Sequence, residues 1–328
     1  MNITVFGAGG IGGQIAARMA LSGVTVNVVA RGTHLEAIRT NGLQLKIGDQ
    51  ICTAQVIATD RPMDLGAQDV LIVSVKRTSL FGAIDCLVQL IGSQTRVVFI
   101  MNGLPWWFDR GHSDGANILG SLLDPSNRFS DIAPIENQIW GVITSGGVLE
   151  SPGVVRNTTP KTNAIRLGYA DDRHDSAITG ITNLFGAAGY DTAIAQDIRT
   201  EVWRKILLNA GQAVVATITN RNHLQVTSDA ETRALTVALI REITLVGNTL
   251  GIQLDVDPIA MTDPQRYGKH IPSLLQDLRN RRPLEIDGTI LSVRALARRN
   301  NLTVPYIEAV AAIISALSHD VGMSRSRN

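Results

Sequence analysis

Short β-branched apolar runs separated by helical patterns occupy the first half of the chain. Ile3–Phe6, Val24–Val29, Val70–Val75 and Val97–Ile100 read as strands, and amphipathic stretches such as Gly10–Leu21 stand between some of them. Strand, helix and strand in this order predict a parallel sheet with helices on its faces. Alternating stretches near Ile139–Leu149, Gly153–Asn157 and Ala164–Leu167, separated by Pro and Gly turns, add strands to the same domain. From about Asp175 the period changes. Ile178, Ile181, Thr182 and Phe185, then Val202, Ile206, Leu207 and Ala210, recur at helical spacing, so the second half is expected to be helical. The polar run Tyr169–Arg173 marks the change and divides the chain into domains 1–170 and 171–328.

A length of 328 residues accommodates two ordinary domains, and 45% apolar against 18% charged residues is a globular composition. A net charge of +1, with no run of like charge beyond Arg279, Arg281 and Arg282, gives no footing for nucleic acid. Cys52 and Cys86 lack metal-ligand spacing and are too few for a disulfide framework, so both read as reduced structural thiols and no metal is expected. The chain runs from Met1 straight into a strand and a glycine turn, without the basic and apolar regions of an export signal. Its longest apolar segment, Val304–Leu317, is short for a membrane span and carries Glu308. The expectation is a cytoplasmic protein that does not enter the membrane.

Gly7-Ala8-Gly9-Gly10-Ile11-Gly12 is a G-x-G-x-x-G pattern that follows the first strand and opens a helix. In that context the first glycine makes the turn, the second lets the backbone approach a pyrophosphate, and the third lets helix and strand pack closely. The helix N-terminus then offers its free N–H groups to the phosphates. The fold class expected is therefore α/β, a Rossmann-type doubly wound sheet followed by an all-helical C-terminal domain. About twenty residues beyond the fingerprint, where an acid would bind the ribose hydroxyls of NAD, stands Arg31. A guanidinium there suits the 2′-phosphate of NADP(H), while the plainer reading is a solvated Arg on a loop.

Lysine is scarce: Lys46, Lys76, Lys161, Lys205 and Lys269 are five of 30 basic residues. An ammonium can be tuned to release a proton where a guanidinium cannot, so these positions are informative. Lys205 and Asn209 lie four apart on a predicted helix and share a face. Lys76 follows one sheet strand and Asn102-Gly103 another, at the strand ends where such sheets bind ligands. Each also has a plain reading, a surface lysine and a simple turn. Pro283 suits a helix start, which would put Glu285 in a first turn that favours acids for structural reasons alone.

Together these residues resemble the ketopantoate reductase (2-dehydropantoate 2-reductase) family over nearly the whole chain. The matching segments are Gly7–Gly12, Arg31, Val75-Lys76, Asn102-Gly103, Trp203…Lys205…Asn209, Ser273…Gln276-Asp277, Glu285-Ile286-Asp287 and Val304-Pro305. The resemblance implies an NADP(H)-dependent oxidoreductase of pantothenate biosynthesis, and a domain 171–328 that binds substrate and carries catalysis. It implies that Lys205 is the catalytic lysine, that Asn209 and Ser273 contact substrate, and that Glu285 and Asn102 serve both cofactor and substrate. Hydride reaches the carbonyl carbon of a 2-oxo acid, and a positioned ammonium stabilises and protonates the alkoxide. Glu285 keeps that ammonium charged.

The chain departs from the family at Ala213, where a second substrate-contacting Asn is usual, and at Ile290-Leu291, where Asn-Gly is common. Fewer polar contacts imply a more apolar pocket and weaker discrimination for a substrate hydroxyl. The Trp106-Trp107-Phe108 run lines an enlarged pocket or anchors a loop, and residues 109–137 are irregular apart from a short helix near Ile118–Leu123. A small-molecule carbonyl substrate is the expected partner, and the apolar helical faces of the second domain are compatible with a homodimer. Two other readings remain open: a reductase for another carbonyl, imine or alcohol, and a non-catalytic NADPH-sensing protein.

Overall fold

All four residues of the first strand are buried, so it runs through the middle of a sheet covered on both faces. The computed structural model describes residues 1–110 and 117–325. Among these, the strands are β1 (Ile3–Phe6), β2 (Asn27–Val29), β3 (Leu43–Ile47), β4 (Gln50–Ala54), β5 (Ile57–Thr59), β6 (Gln68–Val73), β7 (Ile91–Phe99), β8 (Gln138–Thr144), β9 (Gly147–Ser151), β10 (Val154–Asn157), β11 (Ala164–Tyr169) and β12 (Asp191–Ile194). The main sheet has the order β12-β11-β8-β7-β6-β1-β2-β5. Its strands are parallel except for the antiparallel pair β8 and β11. From β1 the chain moves outward to β2 and β5, then crosses back to β6 on the other side of β1. The strand order reverses between β1 and β6, and a ligand crevice forms outside the carboxyl ends of strands at such a point.

A second sheet, β4-β3-β10-β9, packs against the helix Gly10–Leu21. This helix also contacts β1, so it is enclosed by sheet on more than one side. Gly12, Gly13, Gln14, Ile15, Ala16, Ala17 and Met19 are all buried, more than one face of a helix can supply. Small residues are required here. A Cβ at Gly10 would land on the Gly147 backbone, and one at Gly13 would lie 2.6 Å from Val155 Cγ2.

The chain divides into two compact units, Met1–Met101 with Asn127–Ile198, and Asn102–Ser126 with Arg199–Asn328. This division differs from a boundary at residue 170. The helix Ser176–Ala187 and β12 continue the first unit, because β12 pairs in parallel with β11 and the helix packs on both strands. The helical period that starts near Asp175 therefore belongs to a strand–helix–strand crossover of the sheet. Asn102–Ser126 belongs instead to the second unit, where Trp106, Trp107 and Phe108 are buried.

Among the described residues the second unit is helical, without strands. One helical run begins at Ile198, widens into a π-turn over Leu207–Ala213 and continues through Val214–Ile218. It packs against the helix Ala230–Thr249, whose Asp229 cap accepts a hydrogen bond from the Thr232 N–H at 3.0 Å. Trp203 seats where Gly247 lacks a side chain, since a Cβ there would lie 2.9 Å from Trp203 Cε2.

Two glycines report on this packing. In Gly12→Ala the new Cβ falls on the Gly7 carbonyl oxygen, whereas at Gly180, inside the helix Ser176–Ala187, nothing lies within 4 Å. Gly12→Ala should lower unfolding free energy by about 2 kcal/mol or more. Gly180→Ala should raise it by roughly 0.5–1 kcal/mol by restricting the unfolded chain. Urea denaturation of the two variants measures both, and equal effects of one sign would contradict this account.

Candidate functional site

In the first unit the chain leaves β1 through Gly7 at φ +98°, a conformation that side chains other than glycine rarely adopt. The Gly7 N–H donates to the Val29 carbonyl at 3.1 Å, and a Cβ on Gly7 would lie 2.6 Å from Val75 Cγ1. The turn is thus wedged between the ends of β2 and β6. Ala8 is buried, Gly9 is exposed with nothing within 4 Å of where its Cβ would be, and Gly10, Ile11 and Gly12 start the helix. Gly9 caps that helix without a side chain, so the N–H groups of the first turn receive no side-chain cap. Arg31, two residues beyond β2, is exposed and opens the helix Gly32–Asn41. Lys76, three residues beyond β6, is half-buried and opens the short helix Arg77–Leu80. The glycine turn, Arg31 and Lys76 therefore all stand at the carboxyl ends of neighbouring strands.

The second unit gathers the remaining candidates. Asn102, Asn209, Ser273 and Glu285 line one recess together with Ala213, Leu274, Asp277 and Thr289. Asn209 and Ala213 come from the wide turn Leu207–Ala213, and Thr289 from a second wide turn, Asp287–Leu291, whose backbone is kinked at Thr289. Such turns are frequent at functional sites because they break the 3.6-residue register and re-aim side chains. Ser273, Leu274 and Asp277 share the helix Ser273–Arg279. Asn102 is held by its successor: Gly103 at φ +95° would place a Cβ 2.5 Å from the Gly288 carbonyl, and the Leu104 N–H donates to that same oxygen at 2.6 Å. The Asn102 loop and the Asp287–Leu291 turn are thereby joined backbone to backbone.

Lys205 stands one turn before Asn209 and is half-buried. Burial pulls its ammonium down to about 8, while the nearby Glu285 carboxylate pulls the other way. Glu285 therefore links the lysine to the recess it lines. Leu274, Asp277 and Thr289 line the recess without having been assigned to the site from the sequence, and Asp277 is the charged one among them. Its side chain is 7% exposed and pairs with Arg282 at 3.0 Å. Its position one turn beyond Ser273 on a helix face was the signal available.

Two expectations, on Pro283 and Ile290, need correction, and one open alternative, on the Trp106-Trp107-Phe108 run, is resolved. Pro283 does not start a helix: Leu284 and Ile286 are both buried at alternate positions of a non-helical segment, and helical structure resumes only at Asp287. Trp106, Trp107 and Phe108 anchor the loop within the unit rather than lining the recess. Phe108 stacks on Trp203 at 5.7 Å, and Arg199 sits over its ring at 5.0 Å. Asp109, fully buried, accepts from the Ile118 N–H at 2.7 Å and pairs with Arg299 at 3.1 Å, which secures the helix Ile118–Leu123. Residues 111–116 of the irregular stretch lie outside the described residues. Ile290 is core rather than pocket, 0% exposed.

The recess thus combines amide and hydroxyl groups with two carboxylates, one of which, Glu285, acts on the lowered Lys205 ammonium nearby. Among the described residues no cluster of His, Cys, Asp and Glu could hold a metal ion, and no helix is long and apolar enough to cross a membrane.

Residues 3–172 match the family model described as ketopantoate reductase PanE/ApbA, and residues 197–318 match its C-terminal counterpart. A 2-dehydropantoate 2-reductase of Mesorhizobium japonicum is 33% identical, covering 98% of this chain and 99% of that protein. The crystal structure of a candidate ketopantoate reductase from Ralstonia solanacearum MolK2 superposes with a TM-score of 0.89 at 31% identity, over 98% of both chains. A D-mandelate dehydrogenase solved with NADH and anilino(oxo)acetate shares the fold, with a TM-score of 0.83 at 22% identity over 98% of this chain and 100% of that one.

The Lys205 environment predicts a titration. With only five lysines, side-chain carbon resonances can be followed singly by NMR, and the one lost in Lys205→Ala should titrate near 8. Glu285→Gln removes the anion that favours the charged form and should move that midpoint lower still. A midpoint at the ordinary lysine value in both proteins would contradict the geometry.

Proposed function

The chain belongs to the ketopantoate reductase family of oxidoreductases acting on C=O and CH–OH groups, and from that premise we propose that it reduces a 2-oxo acid with NADPH, using Lys205 as general acid. The observation that carries this reading is the single recess lined by Asn102, Asn209, Ser273 and Glu285, with the Glu285 carboxylate acting on the buried Lys205 ammonium. A group near 8 is protonated at neutral pH and gives up its proton far more readily than an ordinary lysine.

The residues of the first unit fit a dinucleotide. The missing side chain at Gly9 leaves room for a pyrophosphate against the backbone, and the Gly10–Leu21 helix presents its N-terminus there. Arg31 takes the 2′-phosphate, with Lys76 as a further cation at the same strand ends. A reduced nicotinamide supplies hydride to the substrate carbonyl carbon. Lys205 stabilises negative charge developing on the carbonyl oxygen and delivers the proton, while Glu285 keeps the ammonium charged beforehand. Asn102, Asn209 and Ser273 hold the substrate with amide and hydroxyl hydrogen bonds. Ala213 adds a methyl wall where an amide would bind a substrate hydroxyl, and the Thr289 hydroxyl is turned back to the Glu285 carbonyl at 3.1 Å. Ketopantoate is therefore a poorer substrate than a bulkier or less hydroxylated 2-oxo compound. The free thiols Cys52 and Cys86 accord with a cytoplasmic location.

The test is NADPH consumption over a panel of 2-oxo acids, aldehydes and ketones. On the best substrate, Lys205→Ala should lower turnover by about two to four orders of magnitude with little change in NADPH affinity. Lys205→Arg should not restore it, because a guanidinium keeps its proton. Parental turnover should fall as pH rises through about 8, where the ammonium loses its proton. Turnover within a few-fold of the parent in Lys205→Ala removes the lysine from the mechanism, and binding without turnover on any substrate favours a sensing role.

Cofactor choice is tested separately. The parent should prefer NADPH to NADH, and Arg31→Ala should weaken NADPH binding by about one to two orders of magnitude while leaving NADH nearly unchanged. Equal use of both cofactors by the parent would remove Arg31 from this role.

A further inference from the structure

His34 lies in the first turn of the helix Gly32–Asn41, three residues after Arg31. Its two ring nitrogens are both engaged by backbone. The Gly153 N–H, in the turn between β9 and β10, points at Nδ1 at 2.9 Å, and Nε2 lies 2.8 Å from the Ala8 carbonyl oxygen. A backbone N–H can only donate and a carbonyl can only accept, so these partners assign one neutral tautomer, with Nδ1 accepting and Nε2–H donating.

We infer that His34 is a positioning residue for the dinucleotide site, holding the Ala8–Gly9 peptide so that the Gly9 N–H faces the bound phosphate. Described residues contain no cis peptide, and in a planar trans peptide the carbonyl of one residue and the N–H of the next point in opposite directions. Anchoring the Ala8 oxygen on His34 therefore turns the Gly9 N–H away from the helix Gly32–Asn41. Gly9 itself is exposed, and nothing lies within 4 Å of the position of a Gly9 Cβ, so the residue is open to a ligand. The carbonyl is backed from another direction by the helix, since a Cβ at Gly13 would lie 2.9 Å from the Ala8 oxygen.

The anchor is itself braced. Gly153, at φ +79°, packs so that its Cβ would sit 3.0 Å from Ala37 Cβ on the same helix as His34. His34 thus ties three segments, the glycine turn, the Arg31 helix and the second sheet, and a peptide with glycine on one side would otherwise rotate readily.

The inference rests on the first unit binding the dinucleotide, and the experiment separates the two. NADPH affinity is measured by fluorescence titration of the full chain, with steady-state KM and kcat on the best panel substrate. His34→Ala should weaken NADPH binding about three- to ten-fold, the range for loss of a neutral hydrogen bond, and raise the NADPH KM alike. Turnover at saturating NADPH should stay within about two-fold. His34→Gln carries an amide N–H at about the reach of Nε2 and should bind within about two-fold of the parent. His34→Asn carries an acceptor at about the reach of Nδ1 but no donor for Ala8, and should remain as weak as alanine. If the alanine variant does not fold, the glutamine and asparagine pair decides alone. Parental affinity in His34→Ala or His34→Asn, equal weakness in His34→Gln and His34→Asn, or a loss carried by turnover would overturn the role. No NADPH binding by the parent would overturn the dinucleotide reading itself, and His34 with it.

Discussion

Backbone meets backbone at both ends of the first turn of the helix Gly10–Leu21. Gly12 is pressed against the Gly7 carbonyl and Gly10 against Gly147, positions where a single Cβ would occupy space already filled by main chain. This approach allows the helix to fit between β1 and the second sheet while its buried residues spread around more than one face. The glycine turn is consequently held from outside rather than by its own side chains, and its open surface at Gly9 is what remains after the packing is satisfied. The exposed backbone at this helix N-terminus thus follows from how closely two layers of structure are stacked.

The helical unit solves a different problem, which is to keep several polar groups and a lysine together without leaving them unpaired in apolar surroundings. Its two wide turns, Leu207–Ala213 and Asp287–Leu291, open the helical register on either side of the recess and contact one another. The Asn102 loop is seated on the second of them through Gly103 and Gly288. The aromatic stack of Phe108 on Trp203 and the buried Asp109–Arg299 pair fix the same loop from the far end. Lys205 then feels two opposed forces, burial that favours its neutral form and Glu285 that favours its charged form. Burial has the larger influence, which makes its proton available in the range where proteins work.

Much of the sheet was legible from short β-branched apolar runs, because β1 and the carboxyl-terminal parts of β6 and β7 are buried throughout and leave a strong signal. The edge strand β12 was not, since its residues alternate between exposed and half-buried and its pattern merges with the helix before it. That loss moved the expected domain boundary. The hairpin of β3 and β4 escaped for a similar reason, with four of five residues in β4 exposed or only half-buried. Asn102, Asn209, Ser273 and Glu285 could be found by residue type and order along the chain, and the structure brings all four to one recess. Their geometry could not be found that way. Helical periodicity gives no sign of a π-turn, and a buried acid such as Asp277 resembles any surface acid until the Arg282 beside it is seen.

A π-turn holds one more residue than the α-helical turn it replaces, so each of these segments acts as a register offset between the helices flanking it. Removing one residue from Leu207–Ala213 would restore ordinary helix and rotate everything beyond it by about 100°. Lys205 would then keep its sequence neighbours while facing a different part of the unit. The shape of the recess is accordingly encoded in chain length at two places as well as in side-chain identity. Single-residue insertions and deletions at these turns are therefore a route to new pocket geometries that substitution at Ala213 or Asn209 does not provide.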